Sequence, residues 1–311
     1  MWTIKGIYAL GSDIYVNVSG AFGKIVTELI FRRVLNIDKK MSAFSDDSEV
    51  GLINKNAGIK EVLVSKDTQY VIKRALEFNK ISDKFDITIR PLALLWSKKL
   101  KDNEIPSSEE IENVKSLIDS RDVVIKEDFA FLKRKGQMID LGAIAKGYAT
   151  DISKDILKVL SIKNALLDFG GNIYTIGKNK ENYWNIGIQN PFSIRGEIIG
   201  VLKSTDESIV TSGIYERCTK IGDKIYHHII DKYTGFPVEN ELASVTIVSK
   251  SSTEADAFAT IILLEGLKEG IKLMQYYNLE GIIVTKDKDI FITKSLFERF
   301  NCVCNYKIFK I

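Results

Sequence analysis

Histidine is almost absent from this chain. There are two in 311 residues, His227 and His228, and they are neighbours. Cysteine is scarce too, and Cys218, Cys302 and Cys304 make an odd number. Cys302 and Cys304 are too few for a zinc set, which needs four ligands, and all three cysteines read as free thiols, which suits a reducing compartment. With only four prolines spread along the chain, no Pro-rich linker marks a domain boundary. No run of about 18 apolar residues is present, so no transmembrane helix is expected. Met1 to Gly11 lack the charged region, apolar core and cleavage site of a secretory leader. The expected location is therefore cytoplasmic as written, or extracytoplasmic if a leader has been removed. Excess charge is also missing: a net +3 over this length points to neither nucleic acid nor a membrane surface as partner.

What remains is ordinary globular material, 45% hydrophobic and 27% charged, long enough for one large domain or two modest ones with ample core. Residues 3 to 19 alternate as two short strands around Gly11-Ser12-Asp13. Phe22, Ile25, Val26, Leu29 and Ile30 predict a helix from Phe22 to about Leu35, and Ser65 an N-cap for a second, to Phe78 or a little beyond. Pro91 marks a turn or a helix entry. Ser107 with Glu110 is a capping box opening a helix to Ile118, and Asp122–Ile125 with Phe129–Lys133 reads as a hairpin. Strands are expected at 165–169, 172–176, 184–189, 197–202, 208–211, 214–220 and 224–230. Ser251 with Glu254 is another capping box, starting a helix to about Leu264. A further helix near 267–277, strands around 282–284 and 290–293, and one over 303–309 complete the chain. Helices and mostly antiparallel strands mix without βαβ alternation, which predicts an α+β fold, taken as one domain of two lobes over residues 1–311.

The stretch Gln137 to Asp151 reads as a strand end, a glycine turn and a helix start. Ile144, Tyr148, Ile152 and Ile156 lay an apolar stripe on that helix, and Asp140, Gly142, Lys146 and Gly147 sit at its front. A helix N-terminus with a lysine beside it suits a phosphate, although glycine turns before helices are equally common as packing devices. Gly142 and Gly147 have the G-x4-G spacing of a phosphate loop, but Tyr148 and Ala149 stand where Lys and Ser/Thr are required. Neighbours on a strand face opposite ways, so one of His227 and His228 can serve a site as general base while the other faces core or solvent. Asp256 and Thr260 lie one helical turn apart. They are hard oxygen donors of the kind magnesium takes, in a spacing that is also commonplace. Gly170-Gly171 is either a close approach to a ligand or a bulge. Thr211-Ser212-Gly213 lacks the flanks of a serine nucleophile elbow.

Taken in order, these pieces carry more. Ser42-Ala43-Phe44 through Asp47-Ser48-Glu49 to Leu52-Ile53-Asn54 comes first. Phe85-Asp86-Ile87-Thr88 with Pro91-Leu92 and Leu95-Trp96 follows, then Ile139-Asp140-Leu141 with Ile144-Ala145-Lys146-Gly147-Tyr148. After them stand Gly170-Gly171, Thr211-Ser212-Gly213, His228-Ile229-Ile230-Asp231 with Thr234-Gly235, and Ala255-Asp256-Ala257 with Ala259-Thr260. In sequence and order they resemble the ApbE family, the FAD:protein FMN transferases, nearly end to end. The resemblance implies one domain with two lobes, an FAD and Mg2+ cleft between them, and cleavage of FAD with release of AMP. FMN would pass to a threonine hydroxyl of an acceptor flavoprotein. Carried over by position, it implies FAD contacts at Asp140, Lys146 and Ile230, with Lys84, Phe85, Asp86 and Phe44 lining the cleft. It also implies metal ligands at Asp256, Thr260 and the backbone carbonyl of Ala143, and His228 as base.

The chain departs from the family pattern at several points. Phe44 stands where tyrosine is frequent, which keeps a ring for stacking but removes a hydroxyl. Leu10-Gly11-Ser12 replaces Met-Gly-Thr, Ile87 a common proline and Arg90 a common glycine. Two alternatives remain beside flavin transfer: an Mg2+-dependent FAD pyrophosphatase giving FMN and AMP, and a flavin-binding protein without turnover.

Overall fold

Ile14, Val16 and Val18 alternate with Asp13, Tyr15 and Asn17, and the strand they form buries the first set, exposes Asp13 and Tyr15 and half-buries Asn17. This strand, Ser12–Ser19, is second in a nine-stranded sheet seen in a computed structural model that describes residues 1–179 and 182–311. Among the described residues the order across the sheet is Trp2–Ala9, Ser12–Ser19, Ala165–Phe169, Asn172–Ile176, Ser208–Gly213, Leu242–Ser249, Glu280–Thr285, Asp289–Ile292 and Lys307–Lys310. Every neighbouring pair is antiparallel except the last, which is parallel. A smaller sheet orders Phe300–Cys302, Ile198–Ser204 and Trp184–Gln189. These strands belong to the first of two compact units, built from Met1–Asn36, Ile144–Gly213 and Asn240–Ile311. Its helix Ser252–Glu265 is buried nearly all round, with Ala255, Ala257 and Ala259 among the buried residues.

The second unit comprises Ile37–Ala143 and Ile214–Glu239. It carries two small antiparallel sheets, Val62–Leu63 with Phe129–Leu132 and Val123–Lys126, and Cys218–Ile221 with Lys224–His227. Helix Arg90–Lys101 begins with proline in its first turn, where the missing N–H costs nothing. Its Leu92 and Trp96 pack with Ile111 of helix Ser108–Lys115 and with Ile230. Gly235, at φ +74°, is required there. A Cβ on it would lie 2.3 Å from Ile111 Cγ2, and its carbonyl accepts the Trp96 indole N–H at 2.7 Å.

The α+β architecture with mostly antiparallel sheets agrees with the expectation, and most elements fall within a few residues of it. Four segments depart from it or lie outside it. The helix expected over Phe22–Leu35 continues to Met41. Residues 50–54, for which the sequence pattern gives no element, belong to a helix, Glu49–Lys55, whose N-cap Ser48 accepts the Gly51 N–H. Residues 137–141 form no strand: the Asn54 amide replaces a ladder partner by donating to Ile139 O and accepting its N–H, and Asp140 N donates to Ile87 O. Strand Leu242–Ser249, to which the sequence reading assigned nothing, is central in the large sheet and buried on both faces. No helix among the described residues is long and apolar enough to cross a membrane.

Candidate active site

In the first unit, the site is built where helix Ala145–Val159 meets helix Ser252–Glu265. Of the predicted stripe, Ile144 and Tyr148 are buried and Ile152 and Ile156 are half-buried, and the buried face also takes in Ala149, Ser153 and Leu157. Small residues let the helices close up. Gly147 is the tightest point, since a Cβ there would sit 2.4 Å from Ser252 O and 2.7 Å from Thr253 Cα. At that contact the Gly147 N–H donates to Asp256 Oδ2 at 2.9 Å. Asp256 is 3% exposed. Burial pushes its carboxyl up from the usual range, while the positive charge of Lys146, the Gly147 N–H and the Asn172 amide work against that rise. One turn on, the half-buried Thr260 hydroxyl lies 3.2 Å from Ser212 Oγ and 3.3 Å from Asp256 O.

A buried carboxylate with a hydroxyl one turn away, and a lysine near by, fits a hard divalent cation better than a soft one. Among the described residues no group of three or more His, Cys, Asp and Glu side chains could hold a metal. Any ion at this place would therefore draw on few protein ligands, as magnesium does. A second carboxylate secures the helix pair. Asp151 accepts the Ser252 and Thr253 N–H groups at 3.0 and 2.9 Å, the Ser251 and Thr253 hydroxyls, and the Lys154 ammonium at 2.9 Å.

The second unit holds Phe44, Lys84, Phe85, Asp86, Asp140, Ala143, His228 and Ile230, and the first holds Lys146, Asp256 and Thr260. Asp140 is held at both oxygens: Oδ1 accepts the Gly142 N–H at 2.8 Å, and Oδ2 accepts Arg90 Nη1 at 2.9 Å. The Arg90 guanidinium also donates to Ala43 O at 3.0 Å and lies 4.2 Å from the Phe44 ring centroid. Asp86 caps the short helical turn Ile87–Ile89. One of its oxygens takes the Thr88 N–H and hydroxyl and the other takes Lys232 Nζ at 3.1 Å, so its carboxylate is committed inside the fold. Burial works to lower the Lys232 pKa, but the hydrogen bond to Asp83 and the charge of Asp86 outweigh it and the ammonium is held charged. Phe85 is buried edge-on against Phe78, and Lys84 is half-buried.

Ile230 is likewise buried, bridging to Pro237 and packing on Leu92 and Trp96. Ala143 is half-buried, the last residue before the first unit resumes at Ile144. The histidines part as the alternation predicts: His227 is buried with Nε2 3.1 Å from Val238 O, and His228 is exposed, its backbone N–H on Arg217 O. Sequence reading gave no role to Arg90, Lys232, Asn54 or Gly147. For Arg90 a signal existed, a charged residue between Ile89 and Pro91 at the mouth of an apolar helix.

The ApbE family model matches residues 10–283. An FAD:protein FMN transferase of Klebsiella pneumoniae is 33% identical over 296 residues, 94% of this chain and 92% of that relative. One of Treponema pallidum is 29% identical, over 88% of this chain and 80% of its own length. Among solved structures, an ApbE protein of Thermotoga maritima superposes with a TM-score of 0.87 at 28% identity, covering 96% of this chain and 99% of that one. The flavin transferase ApbE of Vibrio cholerae shares the fold at a TM-score of 0.84 and 24% identity, over 96% and 99%.

Proposed function

This chain belongs to the ApbE family, and on that footing we propose that it is an FAD:protein FMN transferase, moving FMN from FAD to an acceptor protein with release of AMP. The observation that carries this reading is the 33% identity over 94% of the chain to a transferase, together with the Gly147–Asp256–Thr260 cluster inside the matched region. The acceptor is proposed to be a flavoprotein with a modifiable threonine. Its hydroxyl oxygen forms the new bond to the FMN-side phosphorus, the bond from that phosphorus to the bridging oxygen breaks, and AMP leaves with that oxygen. The hydroxyl proton passes to His228, whose exposure allows access to a protein substrate.

Asp256 and Thr260 would hold Mg2+, which when bound supplies positive charge to the pyrophosphate oxygens. Lys146 adds a charge of its own near Asp256. Asp140 is proposed as a polar contact for the dinucleotide and Phe44 as a stacking surface. Phe85 and Asp86, buried as they are, would shape the site from behind, and Ile230 would serve through its backbone or its packing. Lys84, half-buried in the same segment, is the remaining proposed contact.

The test is direct. Purified chain with FAD, Mg2+ and an acceptor domain should release AMP and leave flavin on the acceptor that survives denaturation, read by mass spectrometry. AMP without any transfer would move the reading to a pyrophosphatase. Bound FAD with neither product would remove both enzyme readings.

A further inference from the structure

Arg90 is 5% exposed, and the ring it supports is 78% exposed. That inversion is unusual, since a buried cation is expensive to place and an exposed phenyl ring is normally covered or dispensable. The arginine reaches in three directions at once. Nη1 meets Asp140 Oδ2 at 2.9 Å, Nη2 meets Ala43 O at 3.0 Å, and the guanidinium carbon lies 4.2 Å from the centre of the Phe44 ring. Ala43 and Phe44 are consecutive, so the cation holds both the backbone that carries the ring and a face of the ring itself. The Phe44 N–H bonds to Ser42 Oγ at 3.3 Å, which adds a restraint on the same loop. An apolar residue at 90 would fill the same space without holding any of the three. A planar guanidinium stacked on an aromatic face while its fork serves two oxygens is chemistry that neither lysine nor glycine supplies.

We propose that Arg90 is the positioning residue of the flavin-nucleotide site. It fixes the Phe44 ring from behind so that the open face of the ring stacks on a planar heteroaromatic ring of FAD, and it fixes the Asp140 carboxylate beside it. The inference rests on the flavin-nucleotide reading above. Arg90 touches no reacting atom, and its contribution is pre-organisation: the ring and the carboxylate are set before the ligand arrives, so less ordering is left to the binding step.

The experiment is a titration of the full chain with FAD in the presence of Mg2+, read by flavin fluorescence, for wild type, Arg90→Ala, Arg90→Lys, Phe44→Ala and the Arg90→Ala/Phe44→Ala double variant. Melting curves accompany each. Arg90→Ala and Phe44→Ala should each weaken FAD binding about tenfold, and the double variant should fall well short of the product of the two. Turnover at saturating FAD should stay within about threefold of wild type in Arg90→Ala, a split between KM and kcat that general destabilisation would not produce. If Arg90→Ala does not fold, Arg90→Lys carries the test: it keeps the charge, loses the flat fork, and should weaken FAD binding by about threefold or more relative to wild type. Competition with FMN and with AMP tells which ring is stacked, because the loss will appear with FMN for the isoalloxazine and with AMP for the adenine. Folded Arg90 variants that bind FAD as wild type does, or single effects that multiply in the double variant, would overturn the role of Arg90 alone. A wild-type chain that does not bind FAD would overturn the flavin reading together with it.

Discussion

Two adjacent histidines show how far single residues can be read. Strand alternation demanded that they face opposite ways, and they do, but only the Val238 carbonyl decides which is inside. His227→Ala should therefore lower stability by about 1–3 kcal/mol, through a lost buried hydrogen bond and a void, with the remaining folded protein still active. His228→Ala should melt within a degree or so of wild type and still bind FAD, yet lose flavin transfer by about 100-fold or more. Thermal melts beside a transfer assay separate the two, and normal transfer by His228→Ala would send the search for the base elsewhere. Asp256 is a second such case. Its spacing to Thr260 was visible, but not its burial or the Gly147 N–H aimed at it. Asp256→Ala should reduce turnover steeply at limiting Mg2+, and unchanged kinetics there would take Asp256 out of the metal site.

At the scale of elements, helix caps are legible because their hydrogen bonds are local: in one of the two expected capping boxes, Ser251 Oγ accepts the Glu254 N–H at 3.3 Å. Ser107 and Glu110 make the reciprocal pair that their spacing predicts. Where a distant side chain replaces a local partner, sequence misleads. Ile139 reads as a strand residue, and its ladder partner is the side chain of Asn54, 85 positions away. The face of helix Ala145–Val159 is legible only in part for a related reason: Ile144 and Tyr148 of the apolar stripe are buried, but the packing also uses Gly147, Ala149 and Ser153, which carry little hydrophobic signal. Gly147→Ala should cost about 1–3 kcal/mol and weaken Mg2+-dependent turnover, because the new methyl meets backbone that has no rotamer to yield.

Asp151 gives the same helix pair a dependence on pH. Burial raises its pKa, but the bonds from Lys154, Thr253 N and Ser252 N prevail, and the folded-state value lies below the ordinary 3.8. A depressed carboxyl stabilises the fold above its unfolded pKa and loses that contribution as pH falls through the folded value. Asp151→Asn should therefore be less stable than wild type at pH 7, by about 2 kcal/mol. The gap should close as pH drops below about 4. Melting curves from pH 7 to pH 2 that stay parallel throughout would rule this out.

The α+β class follows from the whole pattern, since strands and helices do not alternate in regular βαβ fashion, and the large, mostly antiparallel sheet agrees, with a parallel pair only at its Asp289–Ile292 and Lys307–Lys310 edge among the described residues. The boundaries of the two units are illegible in the sequence because neither unit is contiguous. Met1–Asn36 and Ile144–Gly213 join Asn240–Ile311 in one, and Ile214–Glu239 returns to Ile37–Ala143 in the other, with no proline- or glycine-rich linker at the crossings. The strand Leu242–Ser249 went unseen for a similar reason: buried on both faces, it shows no alternation to detect. Interleaving has a consequence for folding. The cluster of Leu92, Trp96 and Ile111 is completed by Ile230, and the Trp96 indole N–H is satisfied by Gly235 O, both from the returning segment. A fragment of residues 37–143 alone should thus leave that cluster open and the indole unpaired. Trp96 is the only tryptophan in it, so emission reports on this cluster directly. The fragment should emit to the red of its buried position and melt without cooperativity. Fusing residues 214–239 to it through a flexible linker should restore blue-shifted emission and a cooperative transition. A fragment 37–143 that already shows both would mean that the second unit closes its core without the returning segment.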